Sequence, residues 1–210
     1  MMALYPVFLE LASRPCLVIG GGPVAARKVY GLLAAEAIVT VVSPALGRDL
    51  ADRVERNEIH HRARAFRDGD LAGFVLAFVA TDDAAVNAAV AEAGRRHRVL
   101  VNASDDPSHC DFLLPSVLRR GRLTVAVGTG GASPALARAV RESLEAHVPA
   151  EYGALAEAAA EVRLELRERG TPVDADRWRR AFGAELALLV KDAEHTDIKR
   201  RLLRRLQETP

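Results

Sequence analysis

The chain has 210 residues, of which 50% are hydrophobic and 27% charged, a balance that fits a folded protein and excludes an intrinsically disordered one. The length allows one large domain or two small ones. Twenty-nine Lys and Arg against 28 Asp and Glu leave a net charge of +1, so there is no global attraction to nucleic acid or to an anionic membrane.

In the first half, short apolar runs alternate with helical patterns. Cys16–Ile19 is a β-rich run that ends in glycines, and residues 24–35 read as a helix. Residues 38–42 form a second strand stopped by Ser43–Pro44, and residues 46–57 have helical spacing. Residues 60–66, rich in Arg, read as an edge-like third strand. The unbroken apolar run 74–80 is expected of a strand buried on both faces. Residues 83–97 are helical, with Asp83 as the preferred cap, and residues 99–103 form a fifth strand. Strands alternating with helices predict βαβ units in a parallel sheet.

The pattern changes near Asp111. Residues 112–118 and 122–127 read as a hairpin or two extended segments, and residues 128–134 as a small-residue loop. Pro134 suits a first helical turn, and a helix follows over 135–147. From Ala150 the chain reads as all-helical. Asp174 can cap a helix holding Trp178, Phe182, Leu186 and Val190, and residues 194–207 form a last basic helix. The expected fold class is α/β: a Rossmann-like parallel-sheet domain over 1–112, a small segment over 113–149 and a helical C-terminal domain over 150–210.

The chemistry concentrates in five places. Gly20, Gly22 and Ala25 match GxGxxA between the first strand and the first helix, the context that a dinucleotide turn requires. Gly20 permits the tight turn, Gly22 lets backbone approach a pyrophosphate, and Ala25 allows close helix–strand packing. The acid that usually follows the second strand is missing. Ser43, Pro44 and Ala45 stand there, so a hydroxyl or backbone groups must serve the ribose, and Arg48 could accommodate a 2′-phosphate. Thr81 and Asp82, beyond the fourth strand, lie at the carboxyl edge of the sheet where ligands bind; capping the next helix is their alternative role.

At the same edge, Asn102 and Ser104 can hydrogen-bond a cofactor or a loop. Asp105 or Asp106 can take the proton lost when a hydride leaves carbon, or can simply be a turn residue before Pro107. The loop Thr129–Gly130–Gly131–Ala132–Ser133 before a helix offers backbone donors to an anion, and Ser133 is also a good helix cap. Arg119, Arg120, Arg122, Arg138 and Arg141 surround it and could hold a substrate with several carboxylates. Of the 29 cations 26 are Arg, which suits an anionic ligand, although a GC-rich genome gives the same excess.

Other features read as incidental. Cys16 and Cys110 form no CxxC pair, so neither a disulfide framework nor a cysteine-built zinc site is expected. His109–Cys110–Asp111 is a row of neighbours rather than a metal site, and His60–His61 reads as surface. No signal-peptide pattern opens the chain, and no apolar run approaches the roughly 20 residues that cross a bilayer. A cytoplasmic protein without membrane association is expected.

Six blocks occur in order: GGGPVAARK (20–28), VTVVSP (39–44), ATDD (80–83), VNASDD (101–106), CDFLLPS (110–116) and GTGGASPALARAVR (128–141). Together they closely resemble the siroheme synthase family, precorrin-2 dehydrogenase and often also sirohydrochlorin ferrochelatase, strongly over 1–148 and less over the helical tail. The resemblance implies NAD-dependent dehydrogenation of precorrin-2 to sirohydrochlorin, with Fe2+ insertion in some members, and a homodimer assembled through the middle segment. It places the catalytic aspartate on Asp105. Cofactor contacts fall on Gly22, Pro23 and Val24, on Ser43, Pro44 and Ala45, and on Thr81 and Asn102; Thr129 falls in the tetrapyrrole-facing loop. The fused methyltransferase of some relatives is expected to be absent, because the sequence stops at Pro210. Ala103–Ser104 replaces the usual apolar pair before Asp105. A non-catalytic dinucleotide-sensing module is the alternative reading.

Overall fold

The computed structural model describes residues 4–103, 109–171, 173–183, 189–190 and 194–208. It separates into two compact units, Met1–Leu114 and Pro115–Pro210.

The first unit is built on five parallel strands: β1 (Pro15–Ile19), β2 (Ile38–Val42), β3 (His60–Arg62), β4 (Leu76–Val79) and β5 (Leu100–Ala103), in the order β3-β2-β1-β4-β5. β1 is central, with Val18 opposite Val41 on one side and Phe78 on the other. Its last four residues and all of β4 are buried, so these strands read as continuous apolar runs with no polar alternation. Three helices supply the crossovers: α1 (Pro23–Leu33), α2 (Arg48–Glu55) and α3 (Ala84–His97). One core layer joins Val18, Val39, Val41 and Phe78 to Val29 and Leu32 of α1 and Leu50 of α2. The other joins Leu17, Val42, Ala77 and Val101 to Val90 and Ala93 of α3. The alternation within each strand feeds one residue to each layer. The expected parallel sheet is therefore present.

The strand ends differ from the periodicity in two places. The fourth strand is shorter than the apolar run, because Phe74 and Val75 lead into it from a turn in which Phe74 N–H donates to Leu71 O. The third strand stops at Arg62 rather than residue 66. The chain leaves the sheet there because Asp70 gathers it inward. This carboxylate is only 4% exposed. It accepts from Arg64 Nη2 at 2.5 Å and Nη1 at 2.6 Å, from Arg62 Nη1 at 2.8 Å and from the Arg67 backbone N–H at 2.8 Å. Arg62 also lies over the Phe74 ring, 5.7 Å from its centroid. The Arg-rich stretch is thus the outer wall of one buried anion.

In the second unit, β6 (Ser116–Arg120) and β7 (Leu123–Val127) form the antiparallel hairpin, closed at Gly121–Arg122. α4 (Pro134–Glu145) follows, then α5 (Glu151–Glu168), α6 (Ala175–Ala181) and α7 (His195–Glu208). Leu155 and Ala158 of α5 pack with Leu189, Val190 and Ile198. Val162 packs with Ala181, Leu202 and Leu206. Asp174 caps α6 by accepting from Arg177 N–H at 2.7 Å. The single helix expected to carry both Trp178 and Val190 is interrupted: α6 ends at Ala181, and Phe182 turns back to stack on Trp178 with ring centroids 5.6 Å apart. Leu186 lies outside the described residues. No helix among the described residues is long and apolar enough to cross a membrane.

Asp70 gives the first unit a defined acid sensitivity. Hydrogen bonds from Arg64 first, then from Arg67 N–H and Arg62, hold its carboxyl at about 2 against an ordinary 3.8, with burial opposing. A carboxylate whose folded pKa is depressed stabilises fully above its unfolded pKa and loses that contribution as pH falls through the folded value. Asp70→Asn should cost about 2 kcal/mol at pH 7, and its stability should converge on wild type between pH 4 and 2. Urea unfolding across that range checks it; parallel acid limbs for the two proteins would refute the assignment.

Candidate functional site: two glycine loops at helix starts

The first loop joins β1 to α1. Gly20 N–H donates to Val42 O at 3.0 Å, and Ala80 N–H donates to Ile19 O at 2.8 Å, so the turn leaves between β2 and β4. Gly20 has φ +121°, and a Cβ there would lie 2.2 Å from Ala80 O. A Cβ on Gly21 would lie 2.0 Å from Ala45 O and 2.7 Å from Ser43 Oγ. Neither position can take a side chain without moving backbone. Gly22 differs: a Cβ there would meet nothing within 4 Å. Gly22 caps α1 with no side-chain hydrogen bond, Pro23 and Val24 open the helix, and no acid occupies its first turn. The free N–H groups of a helix start and its positive dipole end attract an anion. The space beside Gly22 is open at this helix start.

The second turn, after β2, is Ser43–Pro44–Ala45. Ser43 is buried. Its hydroxyl donates to Ala45 O at 2.6 Å, its N–H donates to Arg62 O at 3.3 Å, and its carbonyl lies 2.9 Å from His61 Nε2. Pro44 and Ala45 are exposed. Gly47 N–H donates to Gly21 O at 2.8 Å, tying this turn to the first. The surface reading of His60–His61 is corrected for one member. His60 is exposed, but His61 is half-buried and turned to the Ser43 carbonyl, because adjacent residues of a strand face opposite sides.

Beyond β4, Thr81 Oγ1 accepts from Asp83 N–H at 3.1 Å. Asp83 Oδ1 accepts from Ala85 and Val86 N–H at 2.9 and 3.2 Å, capping α3. Asp82 is exposed. Beyond β5, Asn102 is buried and its Nδ2 donates to Phe112 O at 2.9 Å. The Cys110 thiol donates to Ala103 O at 3.0 Å. Val101 N–H donates to Asp111 Oδ2 and Asp111 N–H to Val101 O, both at 2.8 Å. These hydrogen bonds, with a further one from Asn102 Nδ2 to Cys110 Sγ at 3.6 Å, bring residues 101–103 and 110–112 together. Of the two roles open to Asn102, its amide nitrogen serves the loop. Asp105, with Ser104 and Asp106, lies outside the described residues. Phe112 meets Phe78 edge to face at 5.5 Å, and Lys28 Nζ stands 5.4 Å over Phe78.

The second loop, in the second unit, joins β7 to α4. Thr129 Oγ1 accepts from Ser133 N–H and donates to Ser133 O, both at 3.0 Å. Gly130 and Gly131 between them have φ +64° and +85°, which L side chains resist. Ser133 Oγ accepts from Leu136 N–H at 3.1 Å, capping α4. Both hydroxyls are thus engaged within the loop, whose exposed glycines present backbone outward. Arg138, 75% exposed, donates to Glu142 at 2.9 Å. Arg141 pairs with Glu142 and Glu145, and Arg120 Nε donates to Val148 O at 3.1 Å. Among the described residues, no three His, Cys, Asp or Glu side chains gather as a metal site would need.

Composition and motif spacing did not reveal three features of the first unit: the Asp70 anchor, the His61 contact, and the reason residue 21 is glycine. Only the density of Arg before Asp70 hinted at the first.

A family model described as putative NAD(P)-binding matches residues 7–116, and one described as sirohaem biosynthesis protein central matches residues 120–147. The siroheme synthase of Methylococcus capsulatus is 42% identical over 204 residues, 96% of this chain and 43% of that protein. That of Photobacterium profundum is 39% identical over 99% of this chain and 45% of the relative. The chain therefore spans less than half the length of these relatives. A solved structure of SirC, a precorrin-2 dehydrogenase, superposes with a TM-score of 0.74 at 27% identity, covering 98% of this chain and all of that one. The chain belongs to the siroheme synthase family, aligning with the part of its members that carries the dinucleotide-binding and central segments.

Proposed function

We propose that this protein is a precorrin-2 dehydrogenase that uses NAD to form sirohydrochlorin. The observation that carries the reading is the likeness to SirC over the whole length of both chains, joined to an open anion cradle at Gly22. The proposed cofactor contacts are Gly20, Gly22, Pro23 and Val24 at the first turn, Ser43, Pro44 and Ala45 at the second, and Thr81 and Asn102 along the sheet edge. The first turn offers backbone N–H groups to the phosphates. At the second, the Ser43 hydroxyl is committed to Ala45 O, which leaves the exposed backbone of Pro44 and Ala45 to meet the ribose. No carboxylate among these residues repels a 2′-phosphate, so the choice of NAD over NADP rests on the family resemblance.

Dehydrogenation at carbon removes a hydride and a proton. Bound NAD would supply the hydride acceptor. Asp105 takes the proton on its carboxylate, a role suited to a group ionised at neutral pH. The substrate carries several carboxylates, and Thr129, Gly130, Gly131, Ser133 and Arg138 are proposed to receive it, through outward backbone N–H groups and the exposed guanidinium. A homodimer is part of the proposal. So is Fe2+ insertion as a second activity, motivated by the metallated product in the name of the siroheme synthases. A dinucleotide-sensing module would bind NAD without acting on a tetrapyrrole.

Gly22→Ala should fold, changing stability by less than about 1 kcal/mol, yet weaken NAD binding at least tenfold. Gly21→Ala should instead lose at least about 2 kcal/mol of stability through backbone collision; calorimetry with NAD and urea unfolding separate the two effects. With precorrin-2 and NAD, Asp105→Asn should reduce kcat at least a hundredfold while leaving NAD affinity within twofold, and undiminished turnover would remove Asp105 from the chemistry. Anaerobic iron insertion into sirohydrochlorin without NAD tests the second activity. NAD binding with no turnover of precorrin-2 would favour the sensing module.

A further inference from the structure

We infer that His61 is a positioning residue for the dinucleotide, holding the second turn by its backbone. The inference rests on reading the two βα turns as the NAD site. Ser43 is the last residue of β2's path to keep a strand neighbour. Its N–H donates to Arg62 O, which continues the ladder set by Val41↔His61 and Val42↔Arg62. β3 ends at Arg62, and Arg64 N–H turns back to Arg62 O at 2.8 Å. Among the described residues no backbone N–H donates to the Ser43 carbonyl, although Ser43 is buried. A buried carbonyl without a donor is costly.

The His61 ring supplies that donor. A carbonyl oxygen can only accept, so Nε2 carries the proton at 2.9 Å. The side chain thus replaces the next rung of the sheet. The consequence reaches the ligand edge through short links. With its carbonyl and N–H both fixed, Ser43 directs its hydroxyl to Ala45 O and its Oγ against Gly21. Gly47 N–H then closes on Gly21 O. Two turns that must face one ligand are held in one geometry, and His61 is the side chain outside them that fixes the second.

β3 is only three residues long and lies at the sheet edge. Its position depends on Asp70, which binds Arg62, the residue next to His61, and Arg64. The buried anion therefore supports the histidine, and the histidine supports the turn.

The test uses the full chain and NAD as the probe, with Kd from calorimetry, KM and kcat from turnover of precorrin-2, and thermal unfolding as control. His61→Phe keeps a ring and removes the donor; His61→Gln keeps an N–H near the position of Nε2. His61→Phe should raise the Kd and KM for NAD about five- to tenfold, the loss of one hydrogen bond, with kcat unchanged. His61→Gln should return both to within about twofold. His61→Ala should resemble His61→Phe; should it not fold, the Phe and Gln pair carries the comparison. Unchanged NAD affinity in His61→Phe would overturn the inference. So would equal weakening in Phe and Gln, which would assign the effect to ring packing instead of donation. Failure of the wild-type chain to bind NAD would overturn the reading of the turns, and this inference with it. NAD binding without turnover would overturn only the dehydrogenase assignment and leave the affinity comparison to decide the role of His61.

Discussion

The first unit depends on how closely two βα turns approach each other. The Gly21 Cα lies so near the Ser43–Ala45 turn that a methyl group there would sit 2.0 Å from Ala45 O. The Gly47 N–H to Gly21 O bond fastens the contact. Parallel strands β1 and β2 are neighbours, so their turns leave the same edge of the sheet. Without glycine at 21 the turns would part. With it, the start of α1 and the end of β2 present backbone to a single space, and Gly22 remains the one glycine of the three whose Cβ direction is open. The turn therefore divides its roles: Gly20 and Gly21 are glycine because protein backbone crowds them, and Gly22 leaves the room that the proposed dinucleotide would need. The backbone freedom of glycine counts only at Gly20, where φ is +121°.

Much of this was legible from periodicity and turn chemistry. The apolar runs 16–19 and 38–42 became strands with nearly those bounds, Asp83 and Asp174 took the capping roles their spacing indicated, and the turn-like break at Arg119–Gly121 became a hairpin that closes at Gly121–Arg122, with Arg119 and Arg120 inside its first strand. Local rules suffice where each residue answers to its immediate neighbours. They failed where a distant partner decides. Residues 60–66 have the composition of an edge strand, yet a carboxylate eight residues beyond Arg62 ends β3 after three residues. His61 shares the appearance of His60, and only the neighbouring strand tells them apart. Asn102 was open to two roles because spacing cannot say that Phe112 O returns to within 2.9 Å of its amide. In each case the deciding interaction is a hydrogen bond made across the sheet edge, between segments whose separation no periodic pattern encodes.

The arginine excess can now be divided by partner. Arg62 and Arg64 serve the buried Asp70. Arg120 serves the Val148 carbonyl, and Arg177 the Leu206 carbonyl at 2.7 Å. The half-buried Arg141 pairs with Glu142 and Glu145; Arg95, Arg96 and Arg138 lie in surface pairs with acids three or four residues away or, for Arg96, also with Asp68. Exposed pairs of this kind contribute little to stability and exchange partners easily. Under the proposed function that lability would suit Arg138: a substrate carboxylate at the Gly130–Gly131 loop would compete with the neighbouring Glu142 in high-dielectric surroundings. Arg64 could not be recruited in that way, because leaving Asp70 would strand a buried charge.

The same distinction governs the polar groups of the two glycine loops. In the loop before α4 the hydroxyls of Thr129 and Ser133 are engaged with backbone, and at the second turn of the sheet the Ser43 hydroxyl is engaged with Ala45 O. In both places the side chains shape the loop, so under the proposed function recognition would fall to backbone N–H groups and helix starts. Backbone donors do not titrate and lose no side-chain entropy when a ligand binds. A fixed set of them needs something rigid to hold it. For the first unit that rigidity runs from the turn to β3 through His61 and from β3 to the buried charge of Asp70 through Arg62.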